Sequence, residues 1–178
     1  MRPRLFPAAL LCLALAGCGQ TYTGPSPARA ALAAHGQVDP AAPLQFSQQI
    51  TINASPERVW SLLTDLYSWP RWQPAITQIT VDSFHPGTPF SWRTQDETIR
   101  STVELMTPLH QFAFTGDVLN FHAIYVFTLT ALPGGGTQVA MQESVGGFLI
   151  RLFYAQSTLD QTGQIWLQDL KLYAEAPS

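Results

Sequence analysis

The sequence predicts an α+β domain, a seven-stranded antiparallel curved sheet around a long C-terminal helix, with two short helices after the first strand. Three observations predict it. Residues 76–147 are a succession of short apolar segments separated by Pro, Gly and Asn turn signals. Residues 48–76 read as a strand, a capped helix and a second short helical turn. Residues 148–175 hold the longest run with apolar side chains three and four apart. One sheet must bury its inner face, and only the last helix is long enough to cover it.

Three regions divide the 178 residues: a lipoprotein signal peptide over 1–17, a lipidated cysteine and flexible tether over 18–43, and the folded domain over 44–176. Arg2 and Arg4 precede an apolar run from Leu5 to Ala16, interrupted by Pro7. That run is too short to span a bilayer as a mature helix and fits a signal peptide. Leu15-Ala16-Gly17-Cys18 follows and resembles the bacterial lipobox, whose cysteine is acylated and becomes the first mature residue. Cys12 would leave with the signal, so Cys18 would have no internal partner. Several acyl chains on Cys18 anchor stably where one would be marginal. Gly19, rather than Asp, after the cysteine resembles sorting to the outer membrane, with the domain facing the periplasm. Residues 19–43 carry four prolines and seven alanines with no sustained periodicity, the pattern of a tether. His35 sits alone there, beside Gly36.

The domain opens with Leu44–Ile52, apolar mainly on one parity. Ser55 before Pro56 is a strong helix start, and Glu57 favours the first turn. Val59, Trp60, Leu62, Leu63 and Leu66 supply its apolar face. Ser68 can cap a very short helix that Pro74 ends, with Trp69 and Trp72 on one side. Strands are expected over 76–84, from Phe90-Ser91-Trp92, and over 99–105 with clean alternation. A polar reversal at Gln95–Glu97 separates the last two. Phe112 and Phe114 share a face of the next, and 121–132 reads as a central strand covered on both sides for part of its length. Pro133-Gly134-Gly135-Gly136 is a hairpin loop. Thr137, Val139, Met141, Glu143 and Val145 share one parity of the last strand. A helix of about 26 residues from Phe148 to Glu175 closes the chain. Gly163 inside it permits close approach to the sheet, leaves room beneath the helix, or faces solvent; periodicity does not choose.

Ala54-Ser55-Pro56-Glu57-Arg58-Val59-Trp60, then Asp65-x-x-x-Trp69-Pro70-x-Trp72, Phe90-x-Trp92, Gly135-Gly136-Thr137 and the closing Leu167–Glu175 resemble the helix-grip superfamily (SRPBCC, START/Bet v 1-like). The branch resembled is that of the polyketide cyclases/dehydrases. The resemblance implies a small hydrophobic ligand (lipid, polyketide-like or aromatic) enclosed between sheet and last helix. It implies a lining drawn from Phe90, Trp92, Phe112, Phe114 and part of 121–132, with Trp69 and Trp72 at the rim or plugging the core. Arg100, His110, His122, Tyr125 and Glu143 are the polar candidates.

Nine basic and twelve acidic residues, scattered, give a net charge of −3 and no footprint for nucleic acid. Loss of Arg2 and Arg4 with the signal makes it −5. No nucleophile elbow, HExxH or phosphate loop occurs, so no metal or cofactor is expected. His110, His122 and Glu143 are the catalytic candidates, should chemistry occur. Glu143 stands on an apolar face, where an unpaired charge is costly. Pairing with Arg100 or Arg151 and anchoring of a ligand both explain it. Binding or carriage ranks ahead of a cyclase, dehydratase or isomerase, and ahead of a structural lipoprotein with a filled core. Protein partners are not indicated.

Overall fold

The computed structural model describes residues 24–94 and 97–177. The expected signal peptide, Cys18, the tether up to residue 23 and Gln95–Asp96 lie outside the described residues.

Residues 24–43, expected as tether with at most a transient helical turn or two over 28–34, hold a docked helix. They contain helix α1 (Pro27–Ala34), begun by Ser26, whose Oγ accepts from the Arg29 amide at 3.4 Å. Ala33 is fully buried against Ala113, Ile124 and Val126 of the sheet's outer face. The Arg29 guanidinium grips the Asp117 carboxylate with two hydrogen bonds, Nη2–Oδ2 at 3.1 Å. Alanine has high helix propensity but gives a faint amphipathic pattern. The apolar partner that holds α1 lies some eighty residues away, so its docking is invisible locally.

The strand β1 (Leu44–Ile52) and helix α2 (Pro56–Thr64) occupy their expected spans. Ser55 Oγ accepts from the Arg58 amide at 3.3 Å, and Val59, Leu62 and Leu63 are buried. A 3₁₀ turn (Leu66–Ser68) leads into α3 (Trp69–Trp72). Ser68 does not cap α3 as expected. It lies in helical conformation, and its hydroxyl donates back to the Asp65 carbonyl at 2.7 Å.

Six strands follow: β2 (Gln78–Val81), β3 (Pro89–Arg93), β4 (Thr98–Thr107), β5 (Gln111–Val118), β6 (Phe121–Ala131) and β7 (Thr137–Gly147). β2 is shorter than the 76–84 expected. All neighbours are antiparallel in the order β1-β7-β6-β5-β4-β3-β2, with β1 closing on β7 from Leu44↔Val145 to Ile52↔Thr137. A bulge between Val103 and Leu105 breaks the alternation expected in β4. Val103 pairs with Phe114 and stays in the main core, while Leu105 pairs with Ala113 and joins the outer cluster under α1. An extra residue in one strand shifts every later side chain to the other face.

The long C-terminal helix is present, but it starts later than the expected Phe148 and is preceded by a separate short turn of helix. The short turn is α4 (Ile150–Phe153) and the long helix is α5 (Gln156–Ala174), with Tyr154 and Ala155 both extended. Apolar spacing runs on through the break, and no Pro or Gly marks it. α5 buries Leu159, Gly163, Trp166, Leu167 and Leu170 against the sheet. Gly163 is the close-approach glycine: a Cβ there would lie 2.5 Å from Phe46 Cε1. Gly163→Ala should gain about 1 kcal/mol of helix propensity and lose more, about 1–3 kcal/mol, by displacing the buried Phe46 ring. A lowered urea midpoint at unchanged slope is the expected result.

The centre of the core is Trp69, fully buried. Its ring lies 5.2 Å from Trp166, 5.5 Å from Phe114, 6.0 Å from Phe90, 6.3 Å from Trp72 and 6.4 Å from Trp92. Most of these contacts are edge-on, the arrangement aromatic quadrupoles favour. Trp69 Nε1 donates to the Leu63 carbonyl at 3.1 Å, tying α3 to the end of α2.

Candidate functional site

Aromatic packing fills one end of the space between sheet and α5. Toward the other end the filling stops, and a cavity of about 260 Å³ remains. Three groups of elements form most of its wall. β3, β4 and β5 contribute Trp92, Ile99 and Gly116. β6 and β7 contribute Ala123, Tyr125, Glu143 and Val145. The α4–α5 segment closes it with Tyr154, Thr162 and Trp166. Gly116 is part of why the space exists, since a Cβ there would come within 3.2 Å of both Ile99 and Tyr125. The volume lies just below the range of about 300–1,000 Å³ usual for small-molecule sites.

Glu143 is the one carboxylate in the wall that is removed from water, at 5 % exposure. Antiparallel register places it directly opposite Tyr125 on one side and Phe46 on the other. Burial pushes its pKa up from 4.5 to about 8, against a smaller opposing effect from the Tyr125 phenol beside it. The acid is therefore largely protonated at neutral pH. It can then both donate and accept a hydrogen bond. Burial also holds the Tyr125 phenol well above its ordinary value, and the nearby Glu143 charge adds to that. Tyr154 is shifted upward chiefly by burial, with its hydroxyl 3.5 Å from Thr162 Oγ1. Three proton-bearing groups thus face one mostly apolar space.

The sequence-based candidates separate into two sets. Trp92, Tyr125 and Glu143 line the cavity, and His122 reaches its rim. Trp69, Trp72, Phe90, Phe112 and Phe114 do not line it; they are buried behind it. Phe114 nonetheless supports the wall by stacking on Tyr125 at 4.5 Å. Arg100 is exposed and shares the outer-face register of Asp117, so it cannot neutralise Glu143. Arg151 is also committed elsewhere, donating to the Pro43 carbonyl at 2.7 Å. His110 and His122 do not converge. His110 lies in the turn before β5, whereas His122 pairs with Asp117 at the far end of that strand. The His122 ring also meets Asp117 Oδ1 at 3.1 Å. Among the described residues, no group of three or more His, Cys, Asp or Glu side chains is placed to hold a metal ion.

Tyr154 and Thr162 are the polar residues that sequence reasoning missed. Within an unbroken helical pattern Tyr154 fell outside the apolar spacing and drew no role. Only the extended backbone at the α4–α5 break turns it to the cavity. The parity of Glu143 was the clearest signal in the residues themselves that pointed to this place.

Comparison with known proteins agrees with this architecture. Uncharacterised proteins of Mycobacterium bovis and Mycobacterium tuberculosis are 26 % identical over 145 residues, covering 76 % of this chain and 87 % of theirs. A hypothetical protein from Helicobacter pylori superposes with a TM-score of 0.69 at 14 % identity, covering 87 % of this chain and 98 % of that one. A START superfamily protein from Mycobacterium smegmatis gives 0.64 at 15 %, covering 74 % and 97 %. An aromatase/cyclase from a Streptomyces species gives 0.65 at 13 %, covering 74 % and 93 %. At such identities these structures show the fold, which is the START-like helix-grip. Residues 43–173 match a single family, and the chain belongs to it: the polyketide cyclase/dehydrase and lipid transport family.

Proposed function

We propose that the protein binds or carries a small hydrophobic molecule bearing one polar group, held at the membrane by acylated Cys18. The observation that carries this reading is the mostly apolar cavity beside α5, with Glu143, Tyr125, Tyr154 and Thr162 among the few polar groups in its wall. An apolar wall supplies most of the binding free energy, and a few polar groups fix orientation. A protonated Glu143 matches a ligand hydroxyl, carbonyl or neutral amine better than a carboxylate, whose charge would be buried in an apolar wall that holds no Lys or Arg. Membership of a family described by both cyclisation/dehydration and lipid transport fits an apolar ligand of this kind.

The same site supports a second reading, acid–base chemistry on an apolar substrate. It rests on Glu143, whose pKa near 8 suits a general acid or base at neutral pH. The histidines expected to share that work are elsewhere, so Glu143 with the two phenols would have to perform it.

Native mass spectrometry and solvent extraction of protein purified from its own envelope test the first reading. One stoichiometric apolar compound, displaced when Ala123→Trp fills the cavity, is the expected result. Recovery of none at any ratio overturns it. The same spectra report the acyl mass on Cys18, and Cys18→Ser should leave the membrane fraction.

A further inference from the structure

We propose that an apolar ridge beside the cavity mouth docks on the lipid bilayer, so that the mouth opens against the membrane. The inference rests on the Cys18 anchor for its occupant, and on the structure for its surface. Phe148, Leu149, Leu152 and Phe153 are 75 %, 49 %, 74 % and 73 % exposed, and Leu119 is 81 % exposed. These five belong to two neighbouring segments: the β7–α4 connection continuing into α4, and the β5–β6 turn. Asn120 Nδ2 donates across to the Phe148 carbonyl at 3.2 Å, and the Phe121 and Phe153 rings lie 6.5 Å apart. Scattered single apolar residues on a surface need no explanation, but a contiguous group does.

The ridge adjoins the mouth residue by residue. Val118 and Phe121, which flank the turn holding Leu119, line the cavity, as does Tyr154, next to Phe153. Leu119 and Leu149 also hold left-handed backbone, at φ of 53° and 55°. Glycine or asparagine adopts that conformation more readily, so large apolar side chains stand here against a backbone cost.

The chain leading to Cys18 points to the bilayer as the occupant. Gly24 through Arg29 share a groove with Leu119, Asp117 and His122, at the same end of the sheet as the ridge. Only five residues separate Gly24 from Cys18, six steps along the chain and a reach of at most about 20 Å. An acylated Cys18 therefore keeps this end close to the membrane surface at high effective concentration. Aromatic and leucine side chains at such a surface bury into the headgroup boundary.

The test uses the full chain isolated from its envelope and reconstituted into phosphatidylethanolamine/phosphatidylglycerol vesicles. An environment-sensitive fluorophore is placed at Leu152→Cys, and for comparison at Leu109→Cys in the turn at the opposite end of β5. The expected result is a blue shift at 152 with quenching by brominated lipid chains, and neither at 109. A reporter at Phe148→Cys should lose its shift when Leu152→Asp and Phe153→Asp are added, although the protein still floats with the vesicles. No shift at 152 in vesicle-bound protein overturns the proposal. So does equal quenching at both sites, or burial of 152 in a dimer without lipid. Should Cys18 carry no acyl mass, the anchor reading fails by that measurement. Vesicles added to the unacylated chain then decide docking by the same shift at 152. The co-purified compound is scored separately, so a failure of the cavity reading is distinguishable from a failure of docking.

Discussion

Trp69→Ala should destabilise the domain by about 3–5 kcal/mol, close to the whole stability of a marginal domain. Five aromatic rings surround this indole within 6.4 Å, and none has solvent on the side it presents to Trp69. Such rings relax poorly into a void, so the cavity term adds to the lost transfer energy. Trp72 is the informative contrast. It is nearly as buried, yet its Nε1 has no hydrogen-bond partner. Trp72→Phe removes a buried donor that gains nothing in the fold and should cost about 1 kcal/mol or less. Trp69→Phe breaks the bond to Leu63 and should cost visibly more. Urea unfolding followed by far-ultraviolet circular dichroism measures all three without relying on indole fluorescence. Equal losses for the two phenylalanine variants would contradict the assignment of Trp69 as the centre.

Glu143→Gln should make the protein more stable at pH 8 while changing little near pH 5. The sign follows from proton linkage. The unfolded chain releases the Glu143 proton around pH 4.5, whereas the native state keeps it until about pH 8. Between those values the native state binds more protons, so stability falls as pH rises across that window and levels off above it. The loss between pH 5 and pH 8 is on the order of 3 kcal/mol, and the neutral amide should not show it. Denaturant midpoints at several pH values measure the slope; one unchanged by Glu143→Gln would contradict the buried acid. The variant also separates the two functional readings. An amide still donates and accepts, so ligand retention should survive within a few-fold, whereas any acid–base turnover should disappear. Glu143→Leu should weaken retention as well, because it removes the polar group that orients the ligand.

Much of the architecture was legible from local chemistry. Ser55 and Pro56 start α2 where the cap and ring demand it. The Pro133–Gly136 loop joins β6 to β7, and alternation marks most strands. The candidate site was legible only in part. Glu143 stood out because a carboxylate on an apolar parity is anomalous, and Trp92 and Tyr125 came with the aromatic strands. Arg100 was misplaced because both faces of β4 looked eligible until pairing put it opposite Asp117 on the outer face. The histidine pair failed because two residues flanking one strand lie at its opposite ends.

Local physics determines which residues are strand, helix or turn, because capping, ring closure and alternation act over a few positions. It also decides that the strands form antiparallel neighbours, since short turns permit little else. Three further things came only with the assembled sheet. The bulge after Val103 sends Leu105 outward, α1 finds its apolar partner in β5 and β6, and the extended break at Tyr154 turns a phenol inward. Each depends on contacts between segments far apart in sequence, whose register and curvature no local pattern encodes. The meeting of Glu143, Tyr125 and Tyr154 around unfilled space is the product of those contacts.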